Sequence, residues 1–157
     1  MKRNTILLGI AVLGGLGLIW ALNTKQVPEG TAKVESNEPD DFVTSPEGIR
    51  YRIEKQGEGP KPSKGQSVTV HYTGWLDLQG KQDEKAFDSS IPRGRPFSFN
   101  VGAGTVIPGW DITLADMKAG EVRYIILPPQ LAYGAMAIPK IPANSTLRFR
   151  IELLKIV

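Results

Sequence analysis

Apolar and charged residues alternate strictly from Ile49 to Glu54, with Ile49, Tyr51 and Ile53 set against Arg50, Arg52 and Glu54. A period of two over six residues predicts a strand with one buried face. The same alternation returns near the end of the chain, where Leu147, Phe149, Ile151 and Leu153 interleave with Arg148, Arg150 and Glu152. Between them, Val68, Val70 and Tyr72 share one face of a further strand, with Ser67, Thr69, His71 and Thr73 on the solvent face. Phe97 and Phe99 stand two apart on another short strand. Tyr124–Leu127 is an unbroken apolar run, so its core face is not legible from the pattern. Gly57–Gly65 holds three glycines and two prolines and reads as a loop.

One helix stands out within this region. Trp110, Leu114 and Met117 fall at i, i+4 and i+7, Pro108 occupies the first turn, and Gly120 follows the end. Several strands and one short helix predict an α+β fold, an antiparallel sheet with one face packed on that helix.

The first 47 residues follow other rules. An uncharged run from Ile6 to Leu22 comes after Lys2 and Arg3. Seventeen residues of helix span about 25 Å, the short end of what crosses a bilayer. Small residues suited to cleavage are lacking around Trp20-Ala21-Leu22-Asn23, which favours an uncleaved anchor over a signal peptide. Basic residues at the start place the remainder outside the cytoplasm. The expected location is therefore the cell membrane, single-pass and with the folded part in a bacterial periplasm or envelope; secretion after cleavage is the alternative. Residues 23–47 are acidic, contain Pro28, Pro39 and Pro46, and read as a flexible linker. The expected organisation is thus 1–22 anchor or signal, 23–47 linker and 48–157 folded domain.

Composition then removes chemistries. Hydrophobic residues at 41% and charged residues at 22% fit a globular domain. Without cysteine there is no disulfide, thiolate zinc site or thiol nucleophile, and His71 as the only histidine excludes a multi-histidine metal centre. A serine triad would need His71, and no Gly-x-Ser-x-Gly elbow presents a serine. The Gly57–Gly65 loop lacks the Gly-Lys-Ser/Thr ending of a phosphate loop. No arginine-rich stripe accompanies the net charge of +3, so nucleic acid is not an expected partner. Asp40-Asp41 and Asp83-Glu84 lie in polar stretches and read as solvated surface. What remains is a set of large rings beside glycine, proline or one acid. Taken singly, each ring reads as core packing.

Taken in order, His71-Tyr72-Thr73-Gly74-Trp75-Leu76, Phe87-Asp88-Ser89-Ser90, Pro96-Phe97-Ser98-Phe99, Val106-Ile107-Pro108-Gly109-Trp110, Leu131-Ala132-Tyr133-Gly134 and Leu147–Leu154 resemble the FKBP-type peptidyl-prolyl cis-trans isomerases. The likeness covers residues 48–157. It implies a curved antiparallel sheet of about five strands wrapped around one short helix, and catalysis of X–Pro amide rotation in polypeptides, assisting the folding of exported proteins. It further implies a pocket floored by Trp110 and walled by Tyr72, Phe97 and Phe149, with Phe87 on one side and Val106 and Ile107 at the lip. The Ile107 N–H and the Tyr133 hydroxyl would bind substrate backbone. Asp88, held by Arg93 and Tyr72, would be the acid beside the amide, and Ile141 would lie on the overhanging loop. Asp88, Tyr133, Phe97 and Trp110 are the expected catalytic set.

Implied partners are proline-containing polypeptides and macrolides; no cofactor or metal is expected. The chain lacks the long helical dimerisation arm of some exported relatives, so a monomer is expected. Two stretches depart from the family pattern: Trp75–Ala86 is longer than in compact members, predicting an exposed turn or bulge at Gln79–Glu84, and Ala135–Pro142 is shorter. A binding module or holdase with little turnover, and a structural domain that displays its sheet to a partner, are the alternative readings.

Overall fold

The computed structural model describes residues 41–157. The anchor or signal expected at 1–22, and the expected linker up to residue 40, lie outside the described residues. Among the described residues no helix is long and apolar enough to cross a membrane.

In chain order the strands are β1 (Val43–Thr44), β2 (Arg50–Lys55), β3 (Ser67–Leu78), β4 (Lys81–Gln82), β5 (Asp88–Ser89), β6 (Phe97–Asn100), β7 (Val122–Leu127) and β8 (Leu147–Ile156). The helix α1 (Pro108–Asp116) separates β6 from β7. All pairings are antiparallel, in the order β1-β2-β7-β8-β3. Five of the eight strands are longer than two residues, so the expected five-stranded sheet is the framework and the two-residue strands are trim. At 12 residues β3 is long enough to carry three partners in succession along its other edge: β6 at Ser67–Val70, β5 at Thr73–Gly74 and β4 at Asp77–Leu78. Register shifts between Thr69 and Val70, and between Ile53 and Lys55, add local twist and help the sheet curl.

The alternating residues of β8 deliver the core as expected: Leu147, Phe149, Ile151 and Leu153 are all buried, with Val68 and Val70 beside them on β3. Trp110 and Leu114 of the helix, with Met117 after it, close the other side. Met117 lies just past the helix end in extended conformation, and Gly120 takes φ +79° in the turn that follows. Gly109 permits a close approach, since a Cβ there would meet Leu127 Cδ2 at 2.5 Å.

The unbroken apolar run is explained by two covered faces. Every residue of β7 is buried. On the outer side Tyr124 stacks on Trp75 at 6.3 Å and meets the edge of Phe42 at 5.8 Å.

Two expectations need correction. The ordered domain does not begin at Gly48: Val43 and Thr44 pair with Tyr51 and Arg50, and Phe42 lies beneath the guanidinium groups of Arg50 and Arg52. A two-residue strand in an acidic, proline-bearing stretch is too short to show a period. His71 is half-buried instead of solvent-facing, its Nδ1 2.9 Å from Ser90 Oγ. The longer segment after Gly74 forms the expected exposed turn, closed as a hairpin that docks on β7 and β8. Gln79 (φ +56°) and Gly80 (φ +85°) turn β3 into β4, a tight turn that needs two left-handed residues. The Tyr124 hydroxyl donates to Gln82, and Arg148 donates to Asp77 Oδ2 (2.7 Å) and the Gly80 carbonyl (2.8 Å).

Candidate active site

Where β3, β6, β8 and the start of α1 meet, the large rings converge. Trp110 lies 5.0 Å from Tyr72, 5.4 Å from Phe149 and 6.1 Å from Phe97, centroid to centroid and all close to edge-on. Phe87 packs its edge on Phe149 at 5.7 Å. These distances suit the attraction of a positive ring edge for a negative face. The rings surround a cavity of about 220 Å³ lined by Tyr72, Phe87, Asp88, Phe97, Thr105, Val106, Ile107, Trp110, Tyr133 and Phe149.

Each element has a local reason to bring its residue here. Tyr72 continues the inward face of β3 after Val68 and Val70. The next inward position is Gly74, where a Cβ would lie 2.6 Å from Phe87 Cζ and 2.7 Å from Phe149 Cε1. Its missing side chain is what lets the two rings meet. Ile107 is the N-cap of α1, and its carbonyl accepts from the N–H of Trp110 at 2.9 Å. Among the described residues the Ile107 N–H donates no hydrogen bond. Asp111 in the first helical turn accepts from the N–H groups of Gly102 (2.8 Å) and Gly104 (3.0 Å), fixing the loop that presents Thr105 and Val106. Tyr133 follows the 3-10 turn Pro129–Leu131, anchored by Gly134 N–H to the Pro129 carbonyl at 2.8 Å.

Asp88 is the only acid on the cavity wall, and both of its oxygens are engaged. Arg93 donates to Oδ1 at 2.5 Å, the Tyr72 hydroxyl donates to Oδ2, and Arg93 also reaches the Tyr72 oxygen at 3.2 Å. Burial opposes ionisation of this carboxyl, but the hydrogen bonds from Arg93 and Tyr72 and the Arg93 charge outweigh it and hold the group below the usual carboxylate range. Burial, with the nearby Asp88 charge, pushes Tyr133 above the ordinary phenol range. Burial and then the bond to Asp88 do the same for Tyr72. Both phenols are therefore donors at neutral pH. With Asp88 ionised and doubly bonded, the cavity has no proton to give from a carboxylic acid.

Nine of the eleven side chains expected at the site line this cavity. Arg93 stands behind Asp88 and is not on the wall. Ile141 is not there either: it is buried at 4% exposure in the core, bonded both ways to Ile138 across a tight turn. Its apolar side chain has a closer place to go than the cavity mouth. Thr105 and Asp111 were not foreseen; the only signals were a polar residue just before Val106 and an acid in the first helical turn.

A larger cavity of about 440 Å³ lies between residues Thr44–Glu47 and the far side of α1. No cluster of rings faces it, and its Arg123 and Asp116 bond each other, with Lys61 and Glu121 completing the network. Chemistry therefore points to the smaller one.

Residues 59–154 match the family model described as FKBP-type peptidyl-prolyl cis-trans isomerase. The chain belongs to this family. An isomerase of this type accelerates rotation about the X–Pro amide. The chain is 45% identical over 118 residues to FK506-binding protein 1 of Aspergillus oryzae, covering 69% of this chain and 98% of that protein. It is 49% identical over 111 residues to human peptidyl-prolyl cis-trans isomerase FKBP4, covering 69% of this chain and only 23% of that one. Among solved structures, AtFKBP13 superposes with a TM-score of 0.66 at 38% identity, covering 74% of this chain and 98% of the other. FkpA from Escherichia coli superposes at 0.67 with 39% identity, covering 76% and 53%. The FKBP isomerase fold and the ring-lined cavity thus agree, and the five main strands with one helix match the sequence expectation.

Proposed function

We propose that the isomerase works by enclosing the prolyl ring among Trp110, Phe97, Phe149 and Tyr72 and letting the preceding amide twist. The observation that carries this is a ring-walled cavity whose only acid is already saturated. A peptide bond resists rotation by about 18–20 kcal/mol because the planar form delocalises the nitrogen lone pair. The planar amide is also the more charge-separated form, so taking water away penalises it more than the twisted one. The free Ile107 N–H and the Tyr133 hydroxyl hold the flanking backbone, leaving one bond to turn. Lowering the barrier by roughly 5–7 kcal/mol gives about 10⁴–10⁵-fold acceleration.

Asp88 sets the local polarity and orients Tyr72; it does not transfer a proton. A protease-coupled assay on a proline tetrapeptide tests both points. Turnover should be detectable, and Asp88→Asn should lower it without abolishing it. Complete loss with macrolide or peptide binding intact would overturn the polarity role. Binding with no turnover in the parent chain would instead support a binding module.

The clients we propose are polypeptides outside the cytoplasm, reached from a single-pass anchor formed by residues 1–22, with a monomeric catalytic domain. The support is the uncharged run Ile6–Leu22 after two basic residues. Membrane fractionation with mass spectrometry of the mature N-terminus tests it: the intact N-terminus in the membrane fraction supports the anchor, and a soluble chain starting after residue 22 refutes it. FK506-type macrolides are the proposed inhibitors, by likeness to the FK506-binding protein of Aspergillus oryzae.

A further inference from the structure

Beyond the Phe87 wall of the isomerase pocket lies a second, smaller cavity of about 170 Å³, lined by Leu76, Asp83, Lys85, Ala86, Phe87 and Lys140. We infer that it is a subsite for an acidic residue next to the substrate proline, held by Lys85 and Lys140. The inference rests on the isomerase reading of the neighbouring pocket.

Phe87 is a wall of both cavities. Adjacent residues of a peptide are about 3.8 Å apart at Cα, so a neighbour of the enclosed proline can reach past that one side chain. Lys140 is fixed at the rim by its backbone. It occupies the left-handed region (φ +69°) in the turn closed by the paired Ile138–Ile141 bonds of 3.0 Å. Its Nζ stands 3.3 Å from the Phe87 carbonyl, which places an ammonium one residue from Asp88. Lys85 comes from the segment that follows the docked hairpin, the part of the chain longer than in compact relatives. The only carboxylate on this wall is Asp83, whose Oδ1 is engaged by the Lys85 N–H at 3.2 Å. Two ammonium groups against one carboxylate leave the cavity with a single excess positive charge. The Asp88 charge behind Phe87 is matched by Arg93. Leu76 and Ala86 supply apolar contact for the methylenes of a glutamate.

The test compares proline peptides with Glu, Ala or Lys immediately before or immediately after the proline, using the full chain at low salt. Reading the ratio of kcat/KM for the Glu peptide over the Lys peptide within each variant cancels any change in the amount of active protein. An exposed charge pair changes affinity by about two- to five-fold, so two lysines predict a ratio of roughly ten. Lys85→Glu with Lys140→Glu should bring that ratio below one. Lys85→Met with Lys140→Met should bring it close to one, and serves if the reversed pair does not fold. Added salt should compress the parent ratio. Lys55→Glu, which changes the net charge as much as the double methionine variant but at the exposed end of β2, should leave the ratio as in the parent chain. A parent ratio near one, a ratio that ignores both double variants, or an equal response to Lys55→Glu overturns the subsite. Absence of turnover on every peptide would count against the isomerase reading itself.

Discussion

Gly74→Ala is the sharpest test of how the pocket is built. Gly74 sits across from Phe149 on β8 and from Asp88 on β5, and its carbonyl accepts the Phe87 N–H at 2.9 Å. An added methyl would lie 2.6 Å from Phe87 Cζ and 2.7 Å from Phe149 Cε1. Carbon atoms in contact prefer about 3.5–4.0 Å, so each ring has to retreat by about 1 Å. Overpacking of this size costs about 1–3 kcal/mol. Restricting the unfolded chain returns about 0.4–1 kcal/mol, which leaves a net loss of stability of up to about 2.5 kcal/mol. Both displaced rings are cavity walls, and a misplacement near 1 Å can reduce turnover by up to about 10²-fold. Protease-coupled kinetics and urea denaturation should therefore report a large fall in kcat/KM beside a modest fall in stability. Adding Phe87→Leu to this variant removes one of the two clashing rings; stability should recover in part while turnover stays low. If Gly74→Ala alone keeps kcat/KM within two-fold and unfolds no earlier than the parent, the close ring packing is not what shapes the pocket.

Phe97 is 41% exposed, high for a phenylalanine in the ring cluster, so Phe97→Ala should cost less than about 1 kcal/mol in urea denaturation yet lower kcat/KM at least ten-fold; equal damage to both would make it a core residue. The depressed Asp88 carboxyl contributes stability that is full above the unfolded aspartate value of about 3.9 and is lost as pH falls through the lower folded value. Carboxyl titration by NMR should place the Asp88 midpoint below that of a free aspartate and move it upward in Arg93→Met; an unmoved midpoint would show that Arg93 does not hold it. Arg148 is 1% exposed and its partner Asp77 11%, so Arg148→Met strands a buried carboxylate and should cost about 3 kcal/mol, with lost amide protection in the Asp77–Gln82 hairpin. A loss under about 1 kcal/mol would mean the hairpin is not docked.

Legibility in the sequence followed the physics of each element. Strand β8 and the inward face of β3 were readable because one side meets the core and the other meets polar surroundings, which writes a period of two into the residues. The helix was readable because Trp110 and Leu114 reach one core from successive turns, and Met117 joins them just past the helix end. Strand β7 was not orientable, since Phe42 and Trp75 cover its outer ring Tyr124 and erase the alternation. Both covering residues come from distant segments, and no local window holds them. Family motifs located the rings but not the docked hairpin, whose anchor Arg148 lies 71 residues from Asp77. Ile141 misled for a related reason: its segment was recognisable, while its side-chain direction depended on the turn with Ile138.

The glycines make the same point from the opposite side. Gly74 and Gly109 have ordinary negative-side backbone freedom to accept alanine, and it is the neighbours Phe87 and Phe149 at the first, and Leu127 with the Leu131 carbonyl at the second, that forbid it. A missing side chain leaves no apolar mark in a periodicity, yet at these two positions it sets how near the sheet, the rings and the helix can come. The cavity therefore depends on absences in β3 and α1 as much as on the aromatic residues that line it. That is why substituting Gly74, which offers a substrate no functional group, should reduce turnover as severely as removing a ring.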